Sequence, residues 1–347
     1  MVKMPGVAAV EQLRFAWESL PATTPMQLFI WARACAEAFT RGTVRLVTVG
    51  DKSPRAIAAL FRPAGEEELL PLGAGLFEQA DFPYKDEAAA AELAEHVARL
   101  GAPVFINDLA ANSSFLRHLR SVCGHRLFAT PRPGHPWIDL DDSWLEPESH
   151  LKSGRRSDLR RARRNAEKLG GVTVEVIAPE PACVDPLLDE AFKVEAANWK
   201  GREGSALAVD PQVGTFYRRF ALAASEQGLF RIGMLRIGGR AAAMQLALKM
   251  NDSFWLFKMG YDEEFARCSP GQLLMIESLR YARTAGCLLY ELTGQSEPWN
   301  QIWTQQLHPA LRVRVHASGA RGWVPVATDL VRQAARVIVH RRGIKAA

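Results

Sequence analysis

"MGYDEEFARCSPGQLLMIESLRYARTAGCLLYELTGQSEPWNQIW", Met259 to Trp303, reads as the end of one strand, a short linker, a helix and a second strand. The helix opens at Ser269-Pro270-Gly271, where Pro270 suits the first turn, Ser269 can cap and Gly271 leaves the backbone bare. Strand–helix–strand in this order is a crossover, so the two strands run parallel in one sheet. A helix start also presents unpaired N–H groups and the positive end of the helix dipole. Ser269-Pro270-Gly271 is therefore either a phosphate site or simply a helix start.

The elements upstream complete the pattern. "LFRIGMLRI" and "RAAAMQLALKM" are strands joined by Gly238-Gly239, a two-residue hairpin signal, and "SFWLFKMGYD" follows a turn at Asn251-Asp252. Before them stand the strand "VTVEVIA" and the helices "CVDPLLDEAFKVEAANW" and "PQVGTFYRRFALAASEQG"; after "CLLYELTG" come a short helix near "EPWNQIWTQQL" and the strand "LRVRVHA". The order β-α-α-β-β-β-α-β-α-β predicts an antiparallel meander followed by the parallel pair. Residues 1–136 read as a mixed α and β lobe. It holds a helix at "MQLFIWARACAEAF", strands at "TVRLVTVG", "AIAALF" and "PVFINDL", a helix closed by Gly101, and another capped by Ser113 or Ser114 that ends at Gly124. Pro131, Pro133 and Pro136 make a rigid approach to a boundary at 136/137. The second lobe spans 137–320, and 321–347 form a basic amphipathic helix.

The 347 residues carry a formal charge of +5. The segment from His150 to Gly171 alone holds eight Lys or Arg against Asp158 and Glu167, a net +6, so the positive charge is local. Five widely spaced cysteines without a C-x-x-C pair argue against a disulfide framework or a zinc site, and the eight histidines do not cluster. Glu11, Arg14 and Glu18 interrupt the N-terminal apolar residues, so no signal core forms, and no apolar run is long enough to span a bilayer. A cytoplasmic protein without a metal is the expectation.

The strand ending in Gly260-Tyr261-Asp262, the Ser-Pro-Gly helix start, the strand ending near Gly294 and the Trp299 beyond it resemble the GNAT superfamily of N-acyltransferases, in its CelD/FemAB-like branch. "WKGREGSALA", Trp199 to Ala208, and the Arg-rich segment before the first strand are similar to that branch as well. The resemblance covers about residues 137–317 and implies tandem GNAT-like lobes in a mixed α/β fold. It further implies a donor, acetyl-CoA or another acyl-CoA, in the splay between "SFWLFKMGYD" and "CLLYELTG", with Lys258, Met259, Gly260, Arg267, Ser269, Pro270, Gly271, Gln272 and Leu273 around it. The superfamily's usual pyrophosphate turn carries a second glycine that Arg267–Gln272 lacks.

Such a transfer needs a proton acceptor and oxyanion donors. Glu195, Asp262 and Glu291 are the candidate bases. Each has a plainer reading: a solvated helix residue, a turn cap and the partner of a structural arginine. By resemblance Tyr261 could protonate the leaving thiolate. Trp199, Lys200 and Arg202, a stacking face with two cations, suit a saccharide, nucleotide or carboxylated acceptor, and Trp299 closes the list of substrate residues. Lys258 reaches either a phosphate or a neighbouring carboxylate.

The basic helix is a solvated face, a contact for an anionic acceptor, lipid surface or CoA phosphates, or a tRNA contact; the C-terminal helix docks on the domain or touches an anionic membrane. The first functional expectation is acyl transfer to an amine of an amino sugar, amino acid or polysaccharide precursor. The alternatives are a Fem-type transferase using aminoacyl-tRNA and a non-catalytic scaffold in exopolysaccharide assembly.

Overall fold

The computed structural model describes residues 6–51, 53–76, 79–197 and 210–317. They fall into two units, one built from residues 6–22, 40–132 and 309–317 and the other from 23–39 and 133–308. The first unit begins with two short helices, α1 (Gly6–Glu11) and α2 (Arg14–Glu18). The next helix, α3 (Phe29–Ala38), belongs to the second unit, because Trp31 is buried against Phe216, Phe220 and Phe257. The sequential division at 136/137 thus places residues 23–39 differently from the packing.

Strands β1 (Gly42–Val49), β2 (Ala56–Pro63) and β3 (Leu70–Pro71) form an antiparallel sheet in the first unit. Helix α4 (Glu87–Ala98) is capped by Asp86, which accepts from the Ala89 N–H at 2.8 Å. Strand β4 (Val104–Ala110) pairs antiparallel with the last described strand, Leu307–Val315. That strand, expected in the second lobe, therefore adds its residues from 309 onward to the first unit. Helix α5 (Ser114–Cys123) has Ser113 as its cap and Gly124, at positive φ, as its stop. Leu93, Val97, Ile106, Phe115 and Leu119 are among the residues that close this core.

The proline-rich approach is itself a strand, β5 (Leu127–Asp139). Proline has no N–H to donate to a ladder; Pro136 supplies its carbonyl instead, to the Leu292 N–H at 3.0 Å. The second unit continues with α6 (Ser153–Lys168), β6 (Val172–Ile177), α7 (Pro181–Ala196) and α8 (Pro211–Glu226). It then forms the meander β7 (Phe230–Ile237), β8 (Arg240–Met250) and β9 (Ser253–Tyr261), the helix α9 (Pro270–Thr284) and the short strand β10 (Leu289–Glu291). Gly238 and Gly239, both at positive φ, make the β7–β8 turn, and Asn251 at φ 53° begins the β8–β9 turn. The sheet order in this unit is β5-β10-β9-β8-β7-β6, with β10 parallel to β9 and antiparallel to β5. One face of the sheet carries α9 and the other carries α7, which packs in turn on α8.

Candidate active site

The site grows out of the place where β9 and β10 part. Their parallel pairing covers only Leu289–Glu291 against Ser253–Trp255. Beyond it β9 runs on to Tyr261, while the other chain turns away through Thr293 and Gly294, both at positive φ. The buried Thr293 hydroxyl donates to the Leu256 carbonyl and ties the base of the fork. On the opposite edge the β8–β9 register slips between Leu256 and Lys258, which leaves Phe257 as a bulge. A bulge frees backbone groups from the ladder and re-aims the chain. Residues 257–259 are thus the part of β9 whose backbone can meet a ligand entering the fork.

Strand alternation assigns the two faces. Phe254, Leu256 and Tyr290 pack with Met275, Ile276 and Leu279 of α9, so Glu291 points to the other face. Its carboxylate is 3% exposed and lies 3.1 and 3.2 Å from Nε2 of His308. Trp137, opposite Glu291 in the β5–β10 register, stacks on the His308 ring at 5.0 Å between centroids and 16° between planes. With Nε2–H donating to Glu291, the Nδ1 lone pair of His308 is left to accept a proton. The pair sets a buried carboxylate against a stacked, partly open imidazole. The sequence reading of Glu291 names an arginine partner and not this histidine. His308 follows 17 residues later, beyond a loop, and no spacing in the sequence links the two.

Glu195, on α7, is wholly buried rather than solvated. A Cβ added at Gly260 would lie 3.1 Å from Glu195 Cγ and 3.2 Å from its Cα, so the glycine is what lets this helix approach β9. Gly260→Val is expected to destabilise the protein by about 1–3 kcal/mol through overpacking, read as a lower urea midpoint with an unchanged slope. Tyr261 is half-buried, with Cδ1 3.7 Å from the Cβ position of Gly271. Asp262 accepts from the Glu264 N–H at 3.0 Å and lies 3.7 Å from Arg240, which is the turn-cap geometry. Lys258 Nζ stands 5.9 Å from the centre of the Tyr217 ring. Met259 turns the opposite way, accepting from Gln245 Nε2 at 3.5 Å.

At the start of α9, Ser269 adopts φ 44° and its hydroxyl makes no capping bond. Pro270 has no N–H, and the amides of Gln272 and Leu273 turn back to the Ser269 carbonyl at 3.0 and 3.1 Å. That leaves the Gly271 amide, with the exposed Arg267 nearby in the chain, to meet an anion. These residues fit one phosphate contact rather than a many-amide cradle. Gln272 spans from the helix to the next segment: its Nε2 donates to the Trp299 carbonyl at 3.2 Å, and its Oε1 accepts from Trp303 Nε1 at 3.2 Å. The helix expected near "EPWNQIWTQQL" is a series of turns instead. Asn300, buried, accepts there from the Glu297 N–H and donates to the Gln295 carbonyl, replacing helical bonds with side-chain ones. The Trp299 indole donates to Glu297 at 2.8 Å. Trp199, Lys200, Arg202 and the C-terminal helix lie outside the described residues. Among the described residues no group of His, Cys, Asp or Glu could hold a metal ion, and no helix is long and apolar enough to cross a membrane.

A parallel fork with a bulged strand, served from one face by a crossover helix, is the arrangement of the GNAT fold. Residues 153–301 match the family model for the acetyltransferase (GNAT) domain, and the chain has the GNAT fold. Among solved structures it is similar to the C-terminal domain of a putative lysylphosphatidylglycerol synthetase from Agrobacterium fabrum, at 16% identity and TM-score 0.58, over 94% of this chain and 97% of that one. It is also similar to FemX, at 13% identity and TM-score 0.57 over 88% and 95%, and to L-PGS from Bacillus licheniformis, at 13% and 0.56 over 93% and 96%. These likenesses carry the fold. No curated protein matches the sequence significantly.

Proposed function

We propose that this protein transfers an acyl group, most simply acetyl, from acyl-CoA to an amine of an amino sugar, amino acid or polysaccharide precursor. The observation that carries the reading is the Glu291–His308 pair beside the β9–β10 fork. The acyl carbonyl lies in the fork, where backbone N–H groups of residues 257–259 can stabilise its oxyanion. The acceptor amine approaches from the Glu291 face and gives its proton to Nδ1 of His308, while Glu291 holds the ring and offsets the imidazolium charge. A C–N bond forms, the C–S bond breaks, and Tyr261 supplies the proton to the departing thiolate. The Gly271 amide and Arg267 take one phosphate of the donor.

The experiment is calorimetric titration with acetyl-CoA of the wild type and of Gly271→Trp. The 3.7 Å clearance at Gly271 accepts a small side chain, whereas an indole covers the amide. Micromolar binding that weakens by at least about tenfold in the variant supports the reading. An absence of binding by the folded wild type to acetyl-CoA and to longer acyl-CoAs overturns the donor. A second reading, aminoacyl-tRNA as donor, is favoured by the dense arginines of α6 and by the single-amide helix start. Salt-sensitive binding of charged tRNA, without binding of CoA, would select it.

A further inference from the structure

The end of β5, Gly134-His135-Pro136-Trp137, borders both the Glu291–His308 pair and the limb of the fork that leaves β10. Trp137 stands opposite Glu291 in the β5–β10 pairing, and strand alternation puts His135 on the same face. The Trp137 backbone is fixed in turn: its N–H donates to the Gln306 carbonyl at 3.2 Å, and its carbonyl accepts from the Thr304 hydroxyl at 2.7 Å. Its indole covers the His308 ring at 16°, while Glu291 holds the edge of that ring. Turning the imidazole out of this plane breaks the stack, and flipping it within the plane takes Nε2 away from Glu291. Gly134 lets the His308 backbone lie against β5, because a Cβ there would sit 2.6 Å from the His308 carbonyl oxygen and 2.9 Å from Leu307 Cβ.

His135 serves the other part. It is 3% exposed, and its Nδ1 lies 2.8 Å from the Gly294 carbonyl. A carbonyl only accepts, so Nδ1 carries the proton and donates it. Gly294 and the preceding Thr293, at φ 63° and 44°, are the residues that turn the chain away from β9. A β-branched residue at positive φ is strained and persists only where its surroundings hold it. Here the Thr293 hydroxyl is tied to Leu256, the Leu292 N–H to Pro136, and the Gly294 carbonyl to His135.

We propose that Trp137 and His135 are positioning residues with separate tasks: Trp137 fixes the ring of the proton acceptor His308, and His135 fixes the opening of the fork that receives the acyl donor. The assignment rests on the acyl-transfer reading of the fork and of the Glu291–His308 pair. It gives the Gly134–Trp137 stretch a role in the reaction, acting through His308 and Gly294 rather than by touching the substrate.

The test is steady-state transfer from acetyl-CoA to glucosamine, or to another primary amine that the wild type accepts, with calorimetric titration of acetyl-CoA. Trp137→Leu is expected to lower kcat about 10- to 100-fold with donor affinity nearly unchanged, since a misplaced reacting group costs that much. Trp137→Phe restores most of the rate, and Trp137→Leu adds nothing to His308→Gln. His135→Leu is expected to weaken acetyl-CoA binding about tenfold, and His135→Asn, which keeps a donor at the δ position, recovers most of it. Urea midpoints verify folding. Proton spectra of the wild type test the contacts without any loss of packing. The His308 ring resonances, assigned by their loss in His308→Gln, are expected upfield of free histidine through the ring current of Trp137, and the His135 Nδ1 proton is expected to exchange slowly. Equal losses of kcat and donor affinity in both leucine variants would reveal a shared packing defect and overturn the division of tasks. An unchanged kcat in Trp137→Leu or unshifted His308 resonances would overturn the first assignment; unchanged donor binding in His135→Leu or a rapidly exchanging Nδ1 proton would overturn the second. Failure of the wild type to bind any acyl-CoA would count against the donor instead, and the spectra would still judge the two contacts.

Discussion

Glu291→Gln is expected to lower kcat for acyl transfer by about two to three orders of magnitude, within the range for loss of general acid–base catalysis, with a small change in KM for the donor. The substitution keeps the shape of the side chain and a hydrogen-bonding oxygen beside His308, 3.1 Å away. It removes the negative charge that offsets the imidazolium formed when the amine gives up its proton. His308→Gln should be equally damaging because it removes the acceptor itself, and the double variant should be no worse than either single one, as for residues acting as a unit. CoA release, followed with a thiol reagent in the presence of an accepted amine, gives the rates; far-UV circular dichroism checks the fold. If Glu291→Gln retained more than about a third of wild-type kcat, the pair would be structural and the base would lie elsewhere on that face, with the buried Glu195 next in line.

The crossover from β9 through α9 to β10 was legible because each boundary has a local chemical cause. Gly238-Gly239 permits the hairpin, Pro270 starts the helix, and "CLLYELTG" has only one charge. The residues that complete the site were harder to see because their partners are distant in sequence. His308 meets Glu291 through a strand that the intervening turns return to the sheet, and those turns are built by the Asn300 side chain rather than by a helical repeat. Glu195 looked solvated in a one-dimensional pattern; only the missing Cβ of Gly260 shows why a carboxylate-bearing helix face can lie against the sheet. The prolines of β5 concealed a strand, since the turn preference of proline is local while strand pairing is tertiary. Placement of residues 23–39 failed for the same reason: nothing in "MQLFIWARACAEAF" names the lobe it packs on.

Trp31→Ala tests that placement and carries the largest expected cost in stability. Trp31 is 1% exposed, and its ring lies 4.7 Å from Phe216, 5.0 Å from Phe220 and 5.7 Å from Phe257, centroid to centroid. Truncating a buried tryptophan removes its transfer free energy and leaves a cavity, together about 3–5 kcal/mol, a large share of the roughly 5–15 kcal/mol available to a folded protein. The loss should fall on the second unit, because all three neighbours belong to α8 and β9. Hydrogen exchange followed by mass spectrometry should show β9 losing protection more than β1 and β2. Phe257 is also the bulged residue of β9, so the cavity opens behind the backbone proposed to meet the acyl carbonyl. Donor affinity should therefore fall along with stability, while Phe15→Ala, at a side chain 87% exposed, should change neither. A Trp31→Ala cost below about 1 kcal/mol, or protection lost first in β1 and β2, would mean that α3 is not part of the core supporting the fork.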